Sequence, residues 1–207
     1  MRYPGYKEFE GMVFYSSPNK GPKAIPGEYL ISLNYNGEVI EQSLKIEKDP
    51  RLENTDKDYR DQFDFLINVR NQVTRANSAI IKIREVQKDL NYLKQKSGLT
   101  EEINNLINQF ERKLSLRENN IHMTKNQSRQ DPLNYGIRIN NRIAFLLADS
   151  QRGDYPPTNQ AKAFFKEITA ELDREMEALE KLLNGSISRL NEIVSDNQIG
   201  IFSMKSP

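Results

Sequence analysis

The chain has 207 residues, 30 of them lysine or arginine and 29 aspartate or glutamate, for a formal net charge of +1. That balance excludes a global field drawing in nucleic acid or an anionic membrane, and the absence of cysteine excludes disulfides, thiolate catalysis and cysteine-ligated zinc together. Hydrophobic content of 37% and a mean hydropathy of −0.74 are lean for a globule and suit long amphipathic helices.

Residues 1 to 26 carry Pro4, Gly5, Gly11, Pro18, Gly21, Pro22 and Pro26, a density that forbids helix but allows one short strand, Met12 to Ser16. A hairpin over 28–47 follows. Asn36-Gly37 between alternating runs predicts a type I′ turn, which needs positive φ at both positions. The turn fixes the register: Tyr35 opposes Glu38, Leu33 opposes Ile40, Ile31 opposes Gln42 and Tyr29 opposes Leu44. One face then collects Tyr29, Ile31, Leu33, Ile40, Leu44 and Ile46. A lone hairpin is marginal in water, so this face needs a cover: the Met12–Ser16 strand with the helices, or a second copy of the chain.

Beyond Asp49-Pro50-Arg51 the period changes. Proline removes a ladder donor there, and the flanking charges can satisfy backbone groups at the junction. Thr55 or Asp56 caps a helix whose apolar positions run from Tyr59, Phe63 and Leu66 to Leu90 and Leu93, with Gly98 as its C′ stop. A second helix starts at Thr100, carries Ile103, Leu106, Ile107, Phe110 and Leu114, and fades into a polar surface loop over Arg117 to Gln130. After the turn Asp131 to Gly136, a shorter helix turns Ile139, Ile143, Leu146 and Leu147 inward. Pro156-Pro157-Thr158 opens the last long helix, with a stripe from Ala161 and Phe165 through Ile168, Leu172, Met176, Leu179, Leu183, Ile187 and Leu190 to Ile193. Gly185 interrupts it, predicting a bend or a close helix contact. The expected fold is mainly α with a small β part: a β region over 1–51, then an antiparallel four-helix bundle over 52–207 with two long and two shorter helices.

The residues offer little chemistry. His122 is the only histidine; it lacks partners at ligand spacing, has no GxSxG elbow to serve, and reads as an ordinary surface residue. No phosphate-binding glycine loop is present. Asp61, Asp64, Glu85, Glu167, Glu171 and Glu175 fall at helix-surface spacings beside basic residues, the pattern of a solvated, salt-bridged face rather than a glycosidase pair. Tyr29, Tyr35, Phe63, Phe65, Phe164 and Phe165 could build a stacking platform, but core packing accounts for them more simply. Lys82, Arg84, Lys88, Lys94 and Lys96 are interleaved with acids, unlike a nucleic-acid stripe. Asp131 to Arg142, with three asparagines, two arginines and an aspartate, reads as a hydrogen-bonded clasp between a helix start and a neighbouring loop or hairpin. No catalytic, cofactor-binding or metal-ligating residue is assigned. No stretch approaches the ~18 apolar residues of a membrane span, and MRYPGYKEFEG has no apolar export core.

Met1 to Gly5, Phe9, Gly11-Met12, Gly21 to Ala24, Pro26 to Tyr29, Lys48 to Arg51 and Asp131 to Arg142 together resemble a known family. It is the C-terminal region of bacterial sortilin-like, BNR-repeat β-propeller proteins often labelled glycosyl hydrolases. The similarity spans nearly the whole chain and is weakest over 97–130. It implies that the chain enters an immunoglobulin-like (FlgD-like) sandwich near its end and continues into a helical tail, the propeller and earlier strands lying upstream. It implies further that any glycosidase activity belongs to the propeller and that this chain is a non-catalytic accessory module. Carbohydrate or peptide binding, or residual glycoside hydrolysis, are the alternatives. The implied location is periplasm or cell surface. The expected partners are its own propeller or another protein, met through the β edge and bundle. Long helices with a lean core also invite self-association as a homodimer.

Overall fold

The computed structural model describes residues 1–15, 17–96 and 99–196. Two antiparallel strands, β1 (Gly27–Tyr35) and β2 (Glu38–Ile46), precede α1 (Asp56–Lys94), α2 (Glu101–Ile121), a single turn α3 (Pro132–Tyr135), α4 (Ile139–Asp149) and α5 (Asn159–Asp196). The mainly helical class with a small β part stands. The hairpin register is the one the turn dictates, with Tyr35 opposite Glu38, Leu33 opposite Ile40, Ile31 opposite Gln42 and Tyr29 opposite Leu44. Asn36 at φ 50° and Gly37 at φ 86° supply the turn.

Local chemistry sets the helix limits. Thr55 accepts from the Asp58 amide while the Asp58 carboxylate accepts from the Thr55 amide, a closed capping box. Thr100 Oγ1 accepts from the Ile103 amide at the head of α2, and Thr158 Oγ1 from the Ala161 amide at the head of α5. The Gly98 stop lies outside the described residues. β2 ends at Ile46, well before Pro50. The Asp49 carboxylate takes the Arg51 amide at 3.0 Å and its guanidinium at 2.6 Å, which closes the junction.

Cross-helix pairs show how the helices run. Arg84–Glu118 and Lys94–Glu111 set α1 antiparallel to α2. Gln62–Ser150 and Asn77–Asn140 set α1 antiparallel to α4, while Arg117–Glu175 and Arg142–Glu171 join α2 and α4 to α5. Phe65 against Phe165, with the Arg75–Asp173 pair, then makes α1 and α5 parallel. The helices therefore fill three columns. α1 and α5, each about 57 Å long at 1.5 Å per residue, flank a third column shared by α2 at one end and α4 at the other. The core is continuous along all three, with Val69, Ile83, Leu93, Ile107, Leu114, Ile143, Leu172 and Ile187 fully buried.

Four expectations are corrected. Met12 to Tyr15 form no strand, and Ser16 lies outside the described residues; the sheet has two strands among the described residues. Met12 and Phe14 pack on the helical core instead of pairing with the hairpin. The polar run from Arg117 is helical to Ile121, because Glu118 and Ile121 continue the buried face of α2. The close helix contact expected at Gly185 is not made: a Cβ added there would meet nothing within 4 Å.

Candidate functional site

The break between α2 and α4, residues 122–138, opens the third column at mid-bundle, and the N-terminal segment fills it. Phe9 and Phe14 bring their rings to 4.9 and 6.2 Å from the His122 ring. Met12 Sδ accepts from Asn77 Nδ2, which also donates to the Lys7 carbonyl at 2.7 Å. Arg84 lies over Phe9, pairs with Glu118 and donates to the Glu10 carbonyl. The segment is a strap held by side chains from α1 and α4. Its own turn is closed by Asn19, which accepts from the Tyr6 amide and donates to the Tyr6 carbonyl, and by the Tyr6 hydroxyl donating to Ser17. Gly21 is required there: a Cβ would sit 1.9 Å from the Tyr3 carbonyl oxygen.

His122 is 2% exposed, which overturns its reading as a surface residue. The sequence shows only a polar run around it; its burial comes from the strap closing over the helix break. Asn140 Nδ2 donates to Asn77 Oδ1 at 3.0 Å and faces His122 Nδ1 at 3.3 Å. That geometry makes Nδ1 an acceptor, so the ring is neutral with its proton on Nε2. Burial first, and then the Arg84 guanidinium, push the imidazole down to about 4.

The Asp131–Arg142 segment is a clasp, and its partner is the strap rather than the hairpin. Asn141 accepts from the Tyr15 amide at 2.8 Å and donates to the Tyr15 carbonyl and to Ser17 Oγ. Asp131 accepts the amides of Gln127 and Ser128, contacts that hold its carboxyl below the usual range. Asn77 and Gln62 are the buried polar residues of α1 that pattern reading passed over. Their signal was present: each occupies a position of the apolar stripe.

Acids and aromatics fall mostly as expected. Asp61 pairs with Lys57, Glu171 with Arg142 and Glu175 with Arg117, while Asp64, Glu85 and Glu167 are exposed. Phe65 and Phe165 stack edge to face at 5.4 Å, and Phe164 packs against the core. Tyr35 departs from core packing, being 70% exposed at the hairpin tip.

The hairpin is the second feature. Among the described residues no helix lies against either strand. The predicted apolar face is uncovered, with Ile31, Leu33 and Ile40 exposed. Only its root is partly sheltered, where Tyr29 donates to the Ile25 carbonyl and Leu44 and Ile46 are half-buried. There the ribbon meets the bundle across a cleft of about 600 Å³, walled by Ile25, Ile46, Phe63 and Leu66 with Lys48 and Asp154 at its rim. The cleft is of small-ligand size. Its carboxylates are engaged: Asp154 binds Lys23 at 2.7 Å, and the bond to Arg51 holds the Asp49 carboxyl below the usual range. Among the described residues no group of three or more metal-ligating side chains comes together, and no helix is long and apolar enough to cross a membrane.

Compared with protein-family models, curated proteins and solved structures, the chain matches none.

Proposed function

We propose that the chain is a non-catalytic interaction module: a helical bundle that presents an amphipathic β-ribbon to a protein partner. One observation carries this reading. Among the described residues, nine paired residues per strand stand clear of every helix, with an apolar face open and both ladder edges unpaired. Such a ribbon is a template for strand addition or sheet packing. The family resemblance supplies the setting, the C-terminal end of an exported sortilin-like propeller protein, with the propeller among the candidate partners.

A panel of aryl-glycosides tests the non-catalytic half. The expected outcome is no turnover; turnover abolished by Asp49→Asn with Asp154→Asn would replace the module with a hydrolase. A binding isotherm with an isolated propeller tests the other half. Saturable binding that Leu33→Asp removes supports the ribbon as the contact, and binding indifferent to that change moves the contact elsewhere.

A further inference from the structure

The ribbon and the cleft at its root describe their own complement. Resting on the interaction reading, we propose that the occupant of the ribbon face is the ribbon of a second copy, stacked face to face and tip to root about a two-fold axis. Tyr35 of each copy enters the root cleft of the other.

Four observations meet in this arrangement. First, the ribbon has one face to cover. Ile31, Leu33, Tyr35 and Ile40 lie on it at 46, 59, 70 and 64% exposure, while Leu30 and Val39 stand among Glu28, Ser32, Asn34, Glu41, Ser43 and Lys45 on the other. Second, the apolar face runs into the cleft, because Ile46 belongs to both. Third, the length fits without adjustment. Nine residues at about 3.4 Å span about 30 Å, and two equal ribbons stacked in opposite directions place each tip over the other's root.

Charge selects that direction. Among the described residues Glu38, beside Tyr35 on the same face, has no ion pair, and neither does Lys48, which lines the cleft; the neighbouring charges are committed as Lys23–Asp154, Lys45–Glu47 and Arg51–Asp49. Stacking tip to root brings Glu38 to Lys48 twice. Stacking tip to tip would gather both Glu38 carboxylates at one end and leave both Lys48 without them.

Area then says why the tip matters. A two-stranded face of about 30 by 10 Å has a footprint of about 300 Å², short of the ~800 Å² per partner in a stable interface. Tyr35 belongs to that face already; the cleft wall it covers adds about 200 Å², for about 500 Å² per copy, the size of a weak, concentration-dependent pairing. The tyrosine tip is therefore the anchor of the pair and the face its continuation.

Sedimentation velocity of the full chain, from micromolar to near-millimolar concentration, tests the pairing. A concentration-dependent monomer–dimer equilibrium is expected, with Tyr35→Ala weakening Kd about tenfold, as for an interface anchor. Glu38→Lys and Lys48→Glu should each weaken it, and the double exchange should restore it. All three sites are exposed, and unchanged thermal melting confirms that each variant folds. A chain monomeric throughout overturns the pairing, as does a dimer in which the double exchange behaves like the sum of the singles. If propeller binding persists in a strictly monomeric chain, the second copy falls while the interaction module stands. If the dimer forms as described and the aryl-glycosides are turned over, the non-catalytic reading falls alone.

Discussion

His122 shows how one residue can couple burial to pH. Its folded-state imidazole is held near 4 against an ordinary value of 6.5, by burial and by the Arg84 guanidinium. The Glu118 carboxylate pairs with that guanidinium. A base with a lowered folded value contributes stability above its unfolded value and loses it as pH falls. The loss should therefore run from about pH 6.5 to about pH 4 and total about 3 kcal/mol. Urea melts across that window check it: His122→Gln should flatten the dependence, and an unchanged slope would show that the ring is not kept neutral. The strap explains why this residue was illegible in sequence. Ile121 and Met123 beside it are buried, but the polar run around them hides a core there; Phe9 and Phe14, more than 100 positions away, supply its cover. Asn141 was half legible: its clasp role followed from side-chain chemistry, its partner Tyr15 did not.

Among the elements, the long helices were the most readable, because one stripe of apolar residues repeats over ten turns and has a single buried solution. Leu172 is fully buried between α5 and its neighbours, so Leu172→Ala should cost about 2–5 kcal/mol. Gly185 is the contrasting position on the same helix, open on its Cβ side; Gly185→Ala should stabilise by about 1 kcal/mol. Thermal melts of the two variants check both, and a destabilised Gly185→Ala would mean that an unseen contact needs the glycine. Directions were harder to read than lengths. Periodicity says that α1 and α5 each bury a face, not that they run parallel. That relation follows from α2 and α4 sharing one column, and the column is shared because the strap fills its gap. Met12 to Ser16 read as a strand for the same reason: alternating apolar residues look alike whether they meet a sheet or a cleft between helices.

Over the whole molecule, the bundle and the ribbon should behave as two cooperative units. The helices share one continuous core, whereas the ribbon contributes none of its side chains to it. Native-state hydrogen exchange should place α1 and α5 amides at the global unfolding free energy and β1–β2 amides far below it in the monomer. Equal protection of ribbon and helices in the monomer would show that the ribbon is fastened in a way its contacts do not reveal. The hairpin's register and turn were legible to the residue. Its isolation was not, since an amphipathic strand pattern states that a face must be covered without stating by what.

The strap also bears on the order in which the chain assembles. Its hydrogen bonds join residues 126 and 149 positions apart, Tyr15 to Asn141 and Arg2 to Gln151, among the widest loops that the described residues close. Helix pairs such as Arg84–Glu118 close over 34. Loop-closing entropy grows with separation, and contacts of this kind form late. Contacts made late govern how fast a native chain comes apart more than how fast it forms. The strap is thus placed to set the lifetime of the folded molecule, and the histidine beneath it ties that lifetime to acidity.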